Sequence, residues 1–233
     1  MEEIVNTNTT YRKITGELAI VAGIFAFLSL IVGLMGVNWD FEVFSDPSTL
    51  IESGARAANF IKWSHWLNML GNYFLLIPLA LFLHRWLKTN SELASQIFTA
   101  SGLVYMLLGA AGAAILAAAR PYLIEQYAQA TAAQQELLLL DFQLVNAIAE
   151  VGLQGVLQNL AGAIWFAGMG FLLRQKKSGL GIFAIAIGVF LLLNTVGNMF
   201  NLEALSLIGL TANILLGPVW LILTGIAVMR AEM

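Results

Sequence analysis

Apolar runs long enough to cross a bilayer recur along the chain, separated by short polar breaks. They cover approximately residues 14–37, 65–87, 95–119, 145–173, 179–200 and 206–229, each near the roughly 20 residues that a spanning helix needs. Lipid offers no partner to a free N–H or C=O, so such runs must be helices. The pattern predicts an all-α fold: an integral membrane bundle of six transmembrane helices forming one polytopic domain over residues 1–233. Two connections are long, 38–64 and 120–144, and the links at Lys88–Leu93 and Arg174–Ser178 are tight turns. The first run follows Tyr11-Arg12-Lys13, exceeds a signal-peptide core and lacks a small-residue cleavage site, so it is expected to be retained.

Breakers refine this picture. Pro121 is expected to end the third helix. The stretch Tyr122–Leu140, rich in Ala, Gln and Leu, is expected to form a further helix running into the fourth, opened by a capping box of Thr131 and Gln134. Pro78 and Pro218 are expected to kink the second and sixth helices, with no helix broken within the membrane. Gly109, Gly112 and Ala113 in the third helix, and Gly152, Gly155, Gly162 and Ala163 in the fourth, allow close backbone approach and are expected to place these two helices at the centre. No internal repeat of the inverted-transporter kind is visible.

Composition agrees: 59% of the 233 residues are apolar and 11% charged, against about 25% charged in soluble domains. The mean hydropathy is +0.81. A net charge of −3 supplies no basic surface, which sets nucleic acid aside as a partner. The absence of cysteine excludes disulfides, iron–sulfur clusters and thiolate metal sites.

Charge also orients the chain. Arg12, Lys13, Arg85, Lys88, Arg174, Lys176, Lys177 and Arg230 fall on one side, against Arg56, Lys62 and Arg120 on the other. Eight against three puts both termini in the cytoplasm and the long loops outside. The outer loops also carry Asp40, Glu42, Asp46, Glu52, Glu125, Glu136 and Asp141, and Trp39, Phe41, Phe44, Phe60, Trp63 and Trp66 suit an interfacial aromatic belt.

The candidate chemistry lies in polar stripes. In the fourth helix Gln143, Asn146, Glu150, Gln154 and Gln158 recur at spacings that hold them within an arc of about 120°. The second helix carries His65, Asn68 and Asn72, the fifth Asn194, Asn198 and Asn201, and the sixth Asn213. At about 1.5 Å per residue, Asn72, Gln158 and Asn194 share a level about 22 Å from the cytoplasmic ends, and Asn68, Gln154 and Asn198 one about 28 Å up. This predicts a wedge of amides, open outward and closed below by apolar side chains. The candidate ligand-binding set is His65, Asn68, Asn72, Glu150, Gln154, Gln158, Asn194, Asn198 and Asn213. Amides also bond between membrane helices simply to hold them, so structural and ligand-facing roles both stand.

Glu150 is a candidate partner of Arg120 or His65, as a gated acid or proton relay, against the plainer reading of a solvated carboxylate. Arg120 reads as a snorkelling or loop-anchoring residue. His65 and His84 sit at opposite ends of one helix, so no shared metal and no cofactor is expected. No nucleophile elbow, H-E-x-x-H motif or phosphate loop occurs, and no catalytic residue is assigned.

Tyr11-Arg12-Lys13 with Ala22-Gly23, Phe171-Leu172-Leu173-Arg174 before a basic turn, and Pro218-Val219-Trp220 with Thr224-Gly225 form a set of short motifs. By these the chain resembles the bacterial six-helix membrane proteins of the domain-of-unknown-function 4386 type. The resemblance implies a bacterial plasma (inner) membrane and the same six spans, and it brings no site residues. Three functions remain. The first is binding or helping to move a small polar or amphipathic molecule, a lipid headgroup or lipophilic solute included. The others are an accessory subunit docking on a membrane-protein partner, and an intramembrane enzyme using His65 and Glu150.

Overall fold

With no water to pair its backbone, a chain in lipid has to close its hydrogen bonds locally, and this one does so by helices alone. The computed structural model describes residues 2–88 and 91–231, and no strand occurs among them. Thr89 and Asn90 of the first tight link lie outside the described residues. Six segments are long and apolar enough to cross a membrane: Thr9–Gly36, Pro47–Leu87, Glu92–Tyr127, Ala132–Leu173, Ser178–Phe200 and Glu203–Met229.

The elements run α1 (Glu2–Gly36), α2 (Phe41–Ser45), α3 (Pro47–Leu50), a 3₁₀ turn (Ile51–Ser53) and α4 (Gly54–Asn72). A second 3₁₀ turn (Phe74–Leu76) leads to α5 (Ile77–Leu87), α6 (Glu92–Tyr127) and α7 (Ala132–Asn146). A π-helix (Ala147–Gln158) then joins α7 to α8 (Asn159–Leu173), followed by α9 (Ser178–Phe200) and α10 (Glu203–Met229). The segments close into a ring: α1 packs on α4 and α10, α4 on α6, α6 on the π-helix and α8, α8 on α9, and α9 on α10. The third and fourth spans are the most buried of the six, but in a ring neither stands at the centre, contrary to the expectation from their small residues.

Backbones touch where the ring is tightest. A Cβ on Gly71 would stand 2.5 Å from the Ala26 nitrogen, so α1 and α4 meet without a side chain between them. Basic residues gather at the end that holds both termini. Arg12 donates to the Ala231 carbonyl, Arg85 lies 5.4 Å over the Tyr11 ring, and Lys176 donates to the Trp86 carbonyl at 2.8 Å. Both long connections meet at the opposite end, where Tyr127 donates to Glu52 at 3.4 Å and Gln143 to Ser48 at 3.4 Å.

These connections are not open loops. In the first, Asn38 and Trp39 turn the chain with φ of 55° and 66°, and then Asp40 caps α2 and Asp46 caps α3. In the second, α6 runs through Pro121 to Tyr127 rather than stopping at residue 119. Leu123 and Ile124 are clamped there in a small apolar cluster with Leu50, Ile51 and Phe142, and this packing outweighs the one backbone bond that proline forgoes. The capping box forms as expected, with Gln134 Oε1 accepting the Thr131 N–H at 3.0 Å and its hydroxyl at 2.9 Å.

Two further features depart from six unbroken α-helices. The second span is interrupted at Tyr73, where φ −132° and ψ −71° separate α4 from the 3₁₀ turn. Pro78 supplies the reason, since its ring would clash with the Phe74 carbonyl of a regular helix and it offers that carbonyl no N–H. The fourth span is α only at its ends, with twelve π-helical residues between. Pro218, by contrast, sits inside a continuous α10.

Replacing Gly71 by alanine is expected to lower stability by about 1–3 kcal/mol, because the neighbouring atoms are backbone and cannot yield. Gly179→Ala, with nothing within 4 Å of the new carbon, is expected to stay within about 0.5 kcal/mol. Urea unfolding of both variants in one detergent checks the contrast, and equal loss would contradict the α1–α4 contact.

Candidate functional site

The stripes converge. His65, Asn68, Asn72, Glu150, Gln154, Gln158, Asn194, Asn198 and Asn213 all line a single cavity of about 380 Å³ enclosed by the ring. The cavity occupies the half of the bundle nearer the two long connections. Phe41, Phe44 and Pro47 of α2 and α3 reach over it, and Leu30, Leu116 and Ile214 form part of its walls.

The π-helix shapes one wall. Bonding from i to i+5 puts more residues in each turn than an α-helix does, so successive side chains diverge less and the helix widens. Gln158 and its neighbour Asn159 therefore both face inward, buried at 3% and 6% exposure. The α-helical spacing used for the sequence prediction excludes Asn159, which is why it was missed. Tyr73, Tyr105 and Ser206 are further lining residues that no polar periodicity marks.

A hydrogen-bond network links the levels. Tyr73 donates to Gln158 Oε1 at 3.2 Å, and Asn159 Nδ2 donates to Asn194 Oδ1 at 2.5 Å. Asn198 Nδ2 donates to the same oxygen at 3.0 Å, and Asn194 Nδ2 donates to the Ser206 carbonyl at 2.7 Å. Gln158 Nε2 donates to Asn159 Oδ1 at 3.5 Å, so Gln158 and Asn194 are joined through Asn159. Across the cavity Asn72 Nδ2 donates to Asn68 Oδ1 at 2.7 Å, and Gln154 Nε2 donates to the Gly109 carbonyl at 3.0 Å. Among the described residues, no protein partner meets the Asn213 amide, Asn72 Oδ1 or Gln154 Oε1.

Aromatic rings close the floor. Tyr73 and Tyr105 meet edge to face at 5.7 Å, Tyr105 stacks on Trp165 at 5.9 Å, and Trp165 and Phe166 both contact Trp220. Gly102 and Gly162 make room, since a Cβ on either would stand 2.6 Å from the Trp165 or Tyr105 ring.

Near the loop end the cavity holds its only charged lining residues among those described, Arg120 and Glu150. Arg120 does not snorkel. Because α6 continues past it, its guanidinium points into the bundle and its side chain is 5% exposed. Nε donates to Asn146 Oδ1 at 2.8 Å and Nη1 to His65 Nε2 at 3.2 Å, while Nη2 donates to Asn146 Oδ1 and Glu150 Oε2. A guanidinium can only donate, so His65 Nε2 is the acceptor in this contact. Asn146 is itself held by donating to the Phe142 carbonyl at 2.6 Å. Glu150 is paired rather than freely solvated, although its side chain remains 45% exposed.

His84 lies apart from this site, with Nδ1 2.9 Å from the Ser95 hydroxyl. Among the described residues no group of three His, Cys, Asp or Glu side chains is placed to hold a metal ion. The cavity wall presents amide, hydroxyl and phenol groups able to hydrogen-bond.

Arg120→Met is expected to cost about 3 kcal/mol, since Asn146, His65 and Glu150 all lose their partner. Glu150→Gln keeps an oxygen for Arg120 but removes the counter-charge of a buried guanidinium, and is expected to cost about 3 kcal/mol as well. Tryptophan fluorescence during urea unfolding measures both, and a Glu150→Gln loss below about 1 kcal/mol would contradict the demand of Arg120 for a counter-charge.

Compared with protein families, curated proteins and solved structures, the chain finds no match, so the cavity's role is argued from its own chemistry.

Proposed function

We propose that the cavity binds, or helps to move, a small polar or amphipathic molecule. The observation that carries this reading is the convergence of nine polar side chains from four spans on one cavity of about 380 Å³. That volume falls within the roughly 300–1,000 Å³ of small-molecule sites. Amides that served only as interhelical glue would pair fully and fill the space between them. Asn213, Asn72 and Gln154 instead keep unused capacity at the cavity surface.

Eight of eleven Lys and Arg residues lie toward the end holding the termini. By the positive-inside rule that end is cytoplasmic, and the cavity then belongs to the outer half of a bacterial plasma membrane protein. Exposed Trp39, Phe41 and Trp63 favour a second reading, docking onto a larger membrane complex, although the same rings suit an interfacial belt. An intramembrane enzyme has less support, because the His65 ring nitrogen and a Glu150 oxygen are both engaged by Arg120.

A cysteine introduced as Asn213→Cys tests the proposal, because the natural chain has none. In lipid nanodiscs it is expected to react with a small neutral methanethiosulfonate at least about tenfold faster than a cysteine at fully buried Ala184. Equal, slow reaction at both positions would mean that solutes do not reach the cavity.

A further inference from the structure

A charged solute in a low-dielectric cavity needs a counter-charge that is present and reachable. Arg120 and Glu150 are the charged residues lining this one, and they are already joined to each other. Arg120 is enclosed as well, with Nε, Nη1 and Nη2 each engaged by Asn146, His65 or Glu150. A carboxylate or phosphate entering the cavity meets a cation whose charge Glu150 already neutralises.

Glu150 is more accessible, but Arg120 already matches its charge. A cationic solute drawing Glu150 away would leave a buried guanidinium short of its partner, a costly exchange. Asp40, Glu42, Asp46 and Glu52 in the first connection attract cations toward this end. Their field is screened over about 8 Å at physiological salt and does not replace a partner inside the cavity. What remains for a ligand is amide and phenol, which supply donors and acceptors without charge.

Resting on the binding reading of this cavity, we infer that it selects uncharged solutes bearing amide or hydroxyl groups. The Arg120–Glu150 pair then acts as a charge filter rather than as an anchor for an ionic group. The aliphatic walls at Leu30, Leu116 and Ile214 accommodate a small apolar part of the same molecule.

The full chain carrying Asn213→Cys provides the test, in nanodiscs at about 0.15 M salt. Three methanethiosulfonates are compared: hydroxyethyl (neutral), sulfonatoethyl (anionic) and trimethylammonioethyl (cationic). Each rate is normalised to that of a cysteine at exposed Gln129. The neutral reagent is expected to react at least about tenfold faster than either charged one. Adding Glu150→Gln leaves Arg120 without its counter-charge, and the anionic reagent alone is then expected to accelerate by about tenfold or more. A charged reagent matching the neutral one without Glu150→Gln would overturn the inference while leaving the binding reading intact. No reaction with any of the three would instead remove the accessible cavity on which both depend. The first comparison needs only Asn213→Cys and decides the question even if the double variant fails to fold.

Discussion

A guanidinium inside a helix bundle has to be neutralised and hydrogen-bonded, and Arg120 commits four of its five N–H donors by gathering three segments of chain around itself. His65 comes from α4, Asn146 from the end of α7 and Glu150 from the π-helix. The cost of an unpartnered buried charge makes this arrangement hard to relax. It fixes where the second and fourth spans stand relative to the third, and therefore where the polar stripes face. The Phe142 ring, 6.0 Å from the guanidinium carbon, and the apolar cluster around Leu123 and Ile124 close the site from the loop side.

Two irregular stretches border the space so framed. At Tyr73 the second span leaves the α conformation, and the phenol of that residue joins the cavity floor. From Ala147 to Gln158 the fourth span widens into a π-helix, and the Gly155 carbonyl within it accepts amides from both Asn159 and Asn198. In lipid such irregularity survives only where neighbouring side chains satisfy the altered backbone. The amides thus stabilise the wall that carries them.

Much of this was legible in the sequence. The six spans are set by bulk hydropathy, and the stripes by spacing, which survives small errors at helix ends. All nine candidate residues face one cavity for that reason. The break at Tyr73 was less legible because its cause, Pro78, lies five residues away and most membrane helices absorb a proline by kinking. The π-helix left no mark in composition, so Asn159 was not among the candidate residues. Arg120 was misplaced because Pro121 suggested a helix end, whereas tertiary packing of Leu123 and Ile124 carries the helix onward.

The same logic bears on why the site is built mainly from amides. A carboxylate or ammonium in the bundle interior would each need a partner as elaborate as the one Arg120 requires. An amide needs only one donor and one acceptor nearby, and when one of these is missing the cost is about 1–3 kcal/mol rather than that of a bare charge. Asn213, Asn72 and Gln154 can therefore keep unpaired atoms at the cavity surface without unsettling the fold. A cavity walled this way retains hydrogen-bonding capacity that a wall of charges would not allow at similar stability.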